Sequence, residues 1–106
     1  AKTRLKLEKG LVGGGVWQEE EASVEYVLSM LDTEYVGLDR GDPTVAEVKD
    51  YASVVLVLYE GQHEVATVYV TDGCRVLVEE SDGGLWYAMT PGVDTVLICA
   101  EFAEGR

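Results

Sequence analysis

The fold is decided by the second half of the chain, where residues 53–90 read SVVLVLYEGQHEVATVYVTDGCRVLVEESDGGLWYAMT. Apolar, β-branched segments alternate here with short stretches rich in glycine, aspartate and serine, which is the composition of strands joined by tight turns. The pattern predicts strands over 53–60, 64–71, 74–80 and 85–90. Asp72-Gly73 is a strong signal for a tight hairpin. The short turns predict an antiparallel meander.

The flanks of this region extend the expected sheet. The run from Val54 to Tyr59 is apolar without interruption, which predicts a central strand buried on both faces. After the turn at Pro91-Gly92, residues 93–102 are interpreted as a fifth strand. At the other end of the chain, residues 3–8 alternate leucine with charge, which predicts a half-buried strand with its basic side in water.

Two helices are expected before the meander. Between 19 and 31, Val24, Val27, Leu28 and Leu31 repeat at helical spacing, opposite a polar face formed by Glu21, Glu25, Ser29 and Asp32. A short strand is expected over 35–39. Asp42-Pro43 then supplies a cap and a first helical residue for a short helix that ends near Tyr51.

Together these elements predict one domain over 1–106 with an α+β fold. The expected architecture is an antiparallel meander sheet of about five to six strands, with one main helix, 19–31, packed on one face. A chain of 106 residues is long enough for one core and too short for a second one.

Charge is the strongest feature of the composition. The chain has 20 acidic and 8 basic residues, for a formal net charge of −12. From residue 10 to residue 104 the only basic residues are Arg40, Lys49 and Arg75. Such a body repels nucleic acids and anionic membranes and attracts a basic protein, so we expect neither nucleic acid nor membrane as a partner. Solubility alone is the plainer explanation of the same charge.

The cysteines and the first residues bear on location. Cys74 and Cys99 lie in apolar surroundings without metal-ligand spacing, where free thiols are ordinary core residues. The first nine residues alternate charge with leucine, unlike a signal peptide. We therefore expect reduced thiols and a cytoplasmic protein, although a disulfide stays open if the two strands are neighbours.

No residue pattern predicts catalysis or a cofactor. The single histidine, His63, is expected in an exposed turn, a poor place to hold catalytic geometry. Gly13-Gly14-Gly15 precedes acidic residues rather than the lysine and threonine of a phosphate loop. Asp72, Glu79, Glu80 and Asp82 do not have the spacing of a calcium loop, so no metal site is predicted.

Aromatic residues next to acidic ones give the best candidate binding patch. Trp86 and Tyr87 alternate faces on one strand, so one of them is expected to be exposed, and Glu79, Glu80 and Asp82 lie nearby. Aromatic residues are enriched in binding hot spots, although core packing is the commoner role for each of them and for Trp17. The carboxylates of Glu19, Glu20 and Glu21 form a second candidate surface.

A resemblance points the same way. The run Val54–Tyr59 and the later stretch Ser81-Asp82-Gly83-Gly84-Leu85-Trp86-Tyr87 resemble bacterial immunity proteins of polymorphic-toxin systems. The similarity is greatest to the first-numbered immunity family, whose members carry a hairpin with a Gly-Gly-x-Trp-Tyr turn, and it covers about residues 20–90. It implies neutralisation of a toxin, often a nuclease or a deaminase, by covering its active site.

The favoured hypothesis is thus an acidic, non-enzymatic inhibitor of immunity type that binds a basic toxin or enzyme. A phage-encoded nucleic-acid mimic is a variant of it. A structural subunit that forms a homodimer, with the basic first strand on an acidic edge of another copy, stays open. So does a small carboxylate-dependent enzyme.

Overall fold

The computed structural model describes residues 3–10, 16–18 and 21–104, with ten secondary-structure elements. The strands are β1 (Thr3–Lys9), β2 (Val16–Gln18), β3 (Val36–Gly37), β4 (Ala52–Glu60), β5 (His63–Thr71), β6 (Arg75–Glu80) and β7 (Leu85–Met89). The helices are α1 (Glu21–Met30), α2 (Pro43–Tyr51) and α3 (Thr95–Glu104).

The strands form one antiparallel sheet in the order β2-β1-β4-β5-β6-β7-β3. The expected meander is its centre, β4-β5-β6-β7. The α+β prediction is confirmed, with seven described strands because β2 and β3, of three and two residues, complete the two edges. The β1 strand lies between β2 and β4, so its backbone is paired on both sides within the chain.

The sheet is covered on two faces rather than one. One face carries an apolar groove and is called the groove face. On it, α1 and α3 pack on the sheet around Leu56, Val70 and Phe102. On the opposite face, called the α2 face, Val45 and Val48 of α2 pack against Leu77 and Leu85. Alternation along β6 explains this division, because neighbouring residues of a strand point to opposite faces.

The last element corrects the expected fifth strand over 93–102, which is wrong. Asp94 caps α3, since its carboxylate accepts hydrogen bonds from the backbone N–H groups of Val96 (2.9 Å) and Leu97 (3.1 Å). Ile98, Cys99 and Phe102 are then buried on one side of the helix, whereas Val96 and Leu97 are exposed. Helical spacing therefore buries more apolar surface here than alternation would.

The other expected elements are confirmed with small shifts. The stripe of α1 buries Val27 and Leu31 and leaves Glu25, Ser29 and Asp32 exposed. Helix α2 begins as expected, with the Asp42 carboxylate accepting from the Thr44 N–H at 2.9 Å. In β4, Val54 and Leu56 are buried on the groove face and Val57 on the α2 face.

The hairpin at Asp72-Gly73 forms with a different turn chemistry. Its backbone closes with a hydrogen bond from the Cys74 N–H to the Thr71 carbonyl, 3.1 Å long. Cys74 itself takes the left-handed conformation, with φ of 64°. A turn followed by one left-handed residue is typical of a three-residue hairpin loop, and β6 accordingly begins at Arg75, one residue later than expected.

Candidate functional site

The residues of the predicted patch lie on both faces of the sheet. Trp86 stands opposite Val78 on the groove face, together with Glu80. Tyr87 stands opposite Leu77 on the α2 face, together with Glu79. The expectation that one of the two aromatic residues is exposed is confirmed for Trp86, whose exposed fraction is 42%. The candidate patch is therefore two separate clusters.

The cluster on the α2 face joins the helix to the sheet. Glu79 pairs with Lys49 of α2 (Oε1 to Nζ, 3.1 Å), and the Lys49 ammonium lies 5.4 Å from the centre of the Tyr69 ring. The Tyr69 hydroxyl lies 3.4 Å from Glu79. Burial raises the pKa of Tyr69, and Glu79 raises it further while Lys49 opposes them, so the phenol stays protonated at neutral pH.

Arg75 makes a parallel link from the sheet to the same helix. Its guanidinium is paired with Glu47 of α2 and donates from Nε to the Tyr87 hydroxyl at 2.9 Å. Both contacts raise the pKa of Arg75, so it stays charged throughout the physiological range. Glu79 and Tyr87 are thus engaged within the chain, in contacts that explain how α2 is held.

The cluster on the groove face is built around the exposed indole. The Nε1–H of Trp86 donates to the Glu80 carboxylate at 2.6 Å, which fixes the orientation of the ring. The Asp82 carboxylate accepts from the Gly84 N–H at 3.0 Å and shapes the turn between β6 and β7. These hydrogen bonds hold Trp86, Glu80 and Asp82 at one end of the β6–β7 hairpin.

An apolar groove of about 420 Å³ lies beside Trp86 and is referred to simply as the groove. One wall is the end of α1, with Leu28, Leu31 and Tyr35, and the floor is the sheet; Trp86 and Glu80 form its rim. The floor residues are Leu58, Val65, Ala66, Val68 and Val78. A volume of this size lies in the range of protein ligand sites.

Tyr35 gives the groove a half-buried polar group whose hydrogen bond is satisfied. Its hydroxyl donates to the Leu31 carbonyl at 2.6 Å, which ties the segment after α1 back to the helix. Burial, and to a smaller extent the charge of Asp32, raises the pKa of Tyr35. The ring therefore presents a neutral apolar surface to the groove at physiological pH.

A second, polar depression adjoins the groove. This acidic pocket has a volume of about 380 Å³ and is lined by Glu64, Glu79, Glu80 and Asp82, with Arg40 as the one basic residue among the described residues of its lining. The Arg40 guanidinium lies against Gly83, in the space where a side chain at that position would stand. Ala66 and Glu80 line both depressions, whereas Thr67 and Glu79 of the acidic pocket stand opposite each other on the α2 face.

Other predicted positions fall elsewhere. Glu19 and Glu20 lie outside the described residues, as does the side chain of Glu21, so the second candidate surface has no structural description. His63 begins β5 at the surface, opposite Glu60, and is exposed as expected. Cys74 and Cys99 are not bonded to each other.

The described part of the chain lacks two features, a cluster of metal ligands and a helix that could span a membrane. Among residues 3–10, 16–18 and 21–104, no three histidine, cysteine or acidic residues come together as a metal site. In the same part of the chain, no helix is long and apolar enough to span a bilayer.

Sequence reasoning missed the groove itself. Leu28 and Leu31 were expected to be core residues of α1, and Tyr35 to start a strand. Leu28, Leu31 and Tyr35 follow one another at spacings of three and four, a signal that this side of the helix continues past its end. The sequence does not specify which part of the sheet this side of α1 faces, because that depends on the tertiary packing.

Comparisons with protein-family models, with curated proteins and with solved structures find no match to this chain. The resemblance to an immunity family therefore stays a prediction.

Proposed function

We propose that this protein is an acidic inhibitor of immunity type, which binds a basic toxin or enzyme and masks its active or nucleic-acid-binding site. The observation that carries the proposal is the position of Trp86: an exposed indole, oriented by Glu80, at the rim of the groove and next to the acidic pocket. Exposed aromatic residues in such a setting are typical anchors of protein interfaces.

The charge of the chain supports a basic partner. A net charge of −12 accelerates association with a cationic surface and slows it with an anionic one. In this mechanism the acidic body steers the encounter, and burial of Trp86 then slows dissociation. Masking needs no catalytic group on this chain, which agrees with a site built from apolar residues and carboxylates. A cytoplasmic location with free thiols belongs to the same proposal.

The test is capture followed by inhibition. The tagged protein and its Trp86→Ala variant are incubated with lysate of the producing organism at low and at high salt, and the retained proteins are identified. The proposal requires a basic protein that wild type retains, that Trp86→Ala retains poorly, and whose purified activity is abolished by one equivalent of wild type. A retained partner with undiminished activity, or equal retention by the variant, would refute it.

A second candidate function is self-assembly, favoured by apolar residues at the β3 edge. Val36 of β3 and Met89 of β7 are 58% and 66% exposed, and both point to the α2 face, since Val36 pairs with Tyr87. Because β1 is internal, this edge replaces the expected basic strand as the contact between copies. Light scattering tests it: a dimer that dissociates on Met89→Lys would favour assembly, and a monomer at all concentrations would remove it.

A further inference from the structure

We infer that the groove is a binding site for a small organic cation with an apolar body, such as an ammonium ion that carries a phenylalkyl chain. The body lies in the groove, and the ammonium group lies at the rim, beside the Glu80 carboxylate and the Trp86 ring. Such a ligand goes beyond the proposed function, which concerns a protein partner. It occupies the groove alone and needs no contact with the acidic pocket.

The interior of the groove suits an apolar body. Five of its lining side chains are leucine, valine or tyrosine and are only half-buried: Leu28, Tyr35, Leu58, Val65 and Val78. An apolar group placed between them would remove this surface from water, which is favourable. The Tyr35 hydroxyl already donates to the Leu31 carbonyl, so a polar body would lose its water in exchange for little.

The rim of the groove suits a cation. Among the described residues that line the groove, Glu80 is the one charged side chain, and the basic Arg40 belongs to the lining of the acidic pocket instead. Glu80 accepts the Trp86 N–H at 2.6 Å, and a carboxylate can accept further hydrogen bonds. The exposed indole offers its face to the same cation. An ammonium group would therefore be attracted here, and a carboxylate would be repelled.

Three ligands that differ only in their end group provide the test: phenylbutylamine, phenylbutanol and phenylbutanoate. The chain has two tryptophans, so Trp17→Phe leaves Trp86 as the only fluorescent tryptophan, and calorimetry on the unsubstituted protein checks the result. We expect the amine to shift the Trp86 emission and to bind about tenfold more tightly than the alcohol. The carboxylate should bind most weakly of the three.

Two variants of adjacent glutamates separate local recognition from the general attraction of an acidic protein for cations. Glu80→Gln keeps an acceptor for the Trp86 N–H and should weaken the amine about fivefold while leaving the alcohol unchanged. Glu79→Gln removes the same charge on the α2 face, where Glu79 pairs with Lys49, and should change neither affinity.

A third variant locates the apolar body. Leu28→Ala shortens one wall of the groove and should weaken the amine and the alcohol by the same factor, about threefold or more. Its thermal unfolding is measured alongside, and the Trp86 emission shift locates the body independently if this variant does not fold.

Equal affinities for the amine and the carboxylate, an equal loss in Glu79→Gln and Glu80→Gln, or no binding of the amine would overturn this assignment. All these measurements use the purified chain alone. Failure of the ligand series therefore rejects the cation site, whereas failure of partner capture and inhibition rejects the proposed function.

Discussion

The two faces of the sheet use similar residues for different purposes. On the α2 face, Glu79 and Tyr87 bind Lys49 and Arg75, and their contacts hold α2 in place. On the groove face, the neighbouring residues Glu80 and Trp86 bind each other and stand at the rim of a groove. Each face thus carries one glutamate and one aromatic residue from the same two strands. Strand alternation decides which face each pair occupies.

This difference separates stability from binding. Substitutions on the α2 face should change how firmly α2 is held, and substitutions at the groove should change the affinity for a partner.

The largest effects are expected in the two hydrophobic clusters of the single domain, one on each face of the sheet. Phe102→Ala on the groove face should lower the free energy of unfolding by about 3–5 kcal/mol, and Leu77→Ala on the α2 face by about 2–5 kcal/mol, because each removes a fully buried side chain. Urea unfolding measures both. Leu97→Ala, at an exposed position of α3, is the control and should cost no more than about 0.5 kcal/mol. A small loss for Leu77→Ala would mean that the cluster between α2 and the sheet contributes little to stability.

The next effect is on binding. Trp86→Ala should weaken binding of the captured partner by about 2 kcal/mol, which is about 30-fold in affinity, because the indole is the exposed anchor. Tyr87→Phe removes only the hydroxyl that accepts from Arg75 and should leave this affinity unchanged. Calorimetric titration of each variant provides the measurement. A loss of affinity in Tyr87→Phe equal to that in Trp86→Ala would remove the distinction between the faces.

Substitution of the neighbouring glutamates should separate the faces again. Glu79→Gln breaks a pair whose side chains are about one third exposed, so it should cost at most about 1 kcal/mol of stability. Glu80→Gln keeps an acceptor for the Trp86 N–H and should instead slow association with a basic partner several-fold at low salt. Thermal unfolding and stopped-flow mixing measure the two quantities. An association rate that responds equally to both substitutions would place the steering charge elsewhere.

The smallest effect is expected on the stability of the fold at low pH. The Ser53 hydroxyl (2.7 Å) and then the Thr95 hydroxyl (3.0 Å) donate to Asp72 and lower its pKa below 3.8. A lowered native pKa stabilises the fold above the unfolded value, and this contribution is lost as the pH falls through the native value. The stability of Asp72→Asn should therefore decrease less between pH 5 and pH 2 than that of the wild type. Urea midpoints across this range measure it; parallel curves would show that Asp72 makes no such contribution.

Much of this fold is readable in the sequence, and the exceptions have physical causes. Val54–Tyr59 and the turns after it predict the meander because local composition fixes strands and hairpins. The α3 helix was missed because Val96, Leu97 and Ile98 form an apolar run that suits either structure. The spacing of Thr95, Ile98, Cys99 and Phe102 was the helical signal, with Asp94 as the cap.

The candidate site was predicted in part for a similar reason. Alternation correctly placed Trp86 and Tyr87 on opposite faces, and the exposure of one of them followed. Which of the two aromatic residues is exposed depends on where α2 packs. Helix α2 packs over Tyr87 through Val45 and Val48, and two valines could pack equally well against any apolar surface. The groove likewise depends on how α1 lies across the sheet, which no local pattern specifies.

Hydrogen exchange of the protein bound to its captured partner tests most directly whether the groove face is the binding surface. Backbone amides near the groove, in 28–35, 64–68 and 78–86, should gain protection on binding, while those of α2 keep their free-state exchange rates. Protection confined to α2 and to the β3 edge around Val36 would show that the partner binds the opposite face, and the role assigned to Trp86 would be wrong.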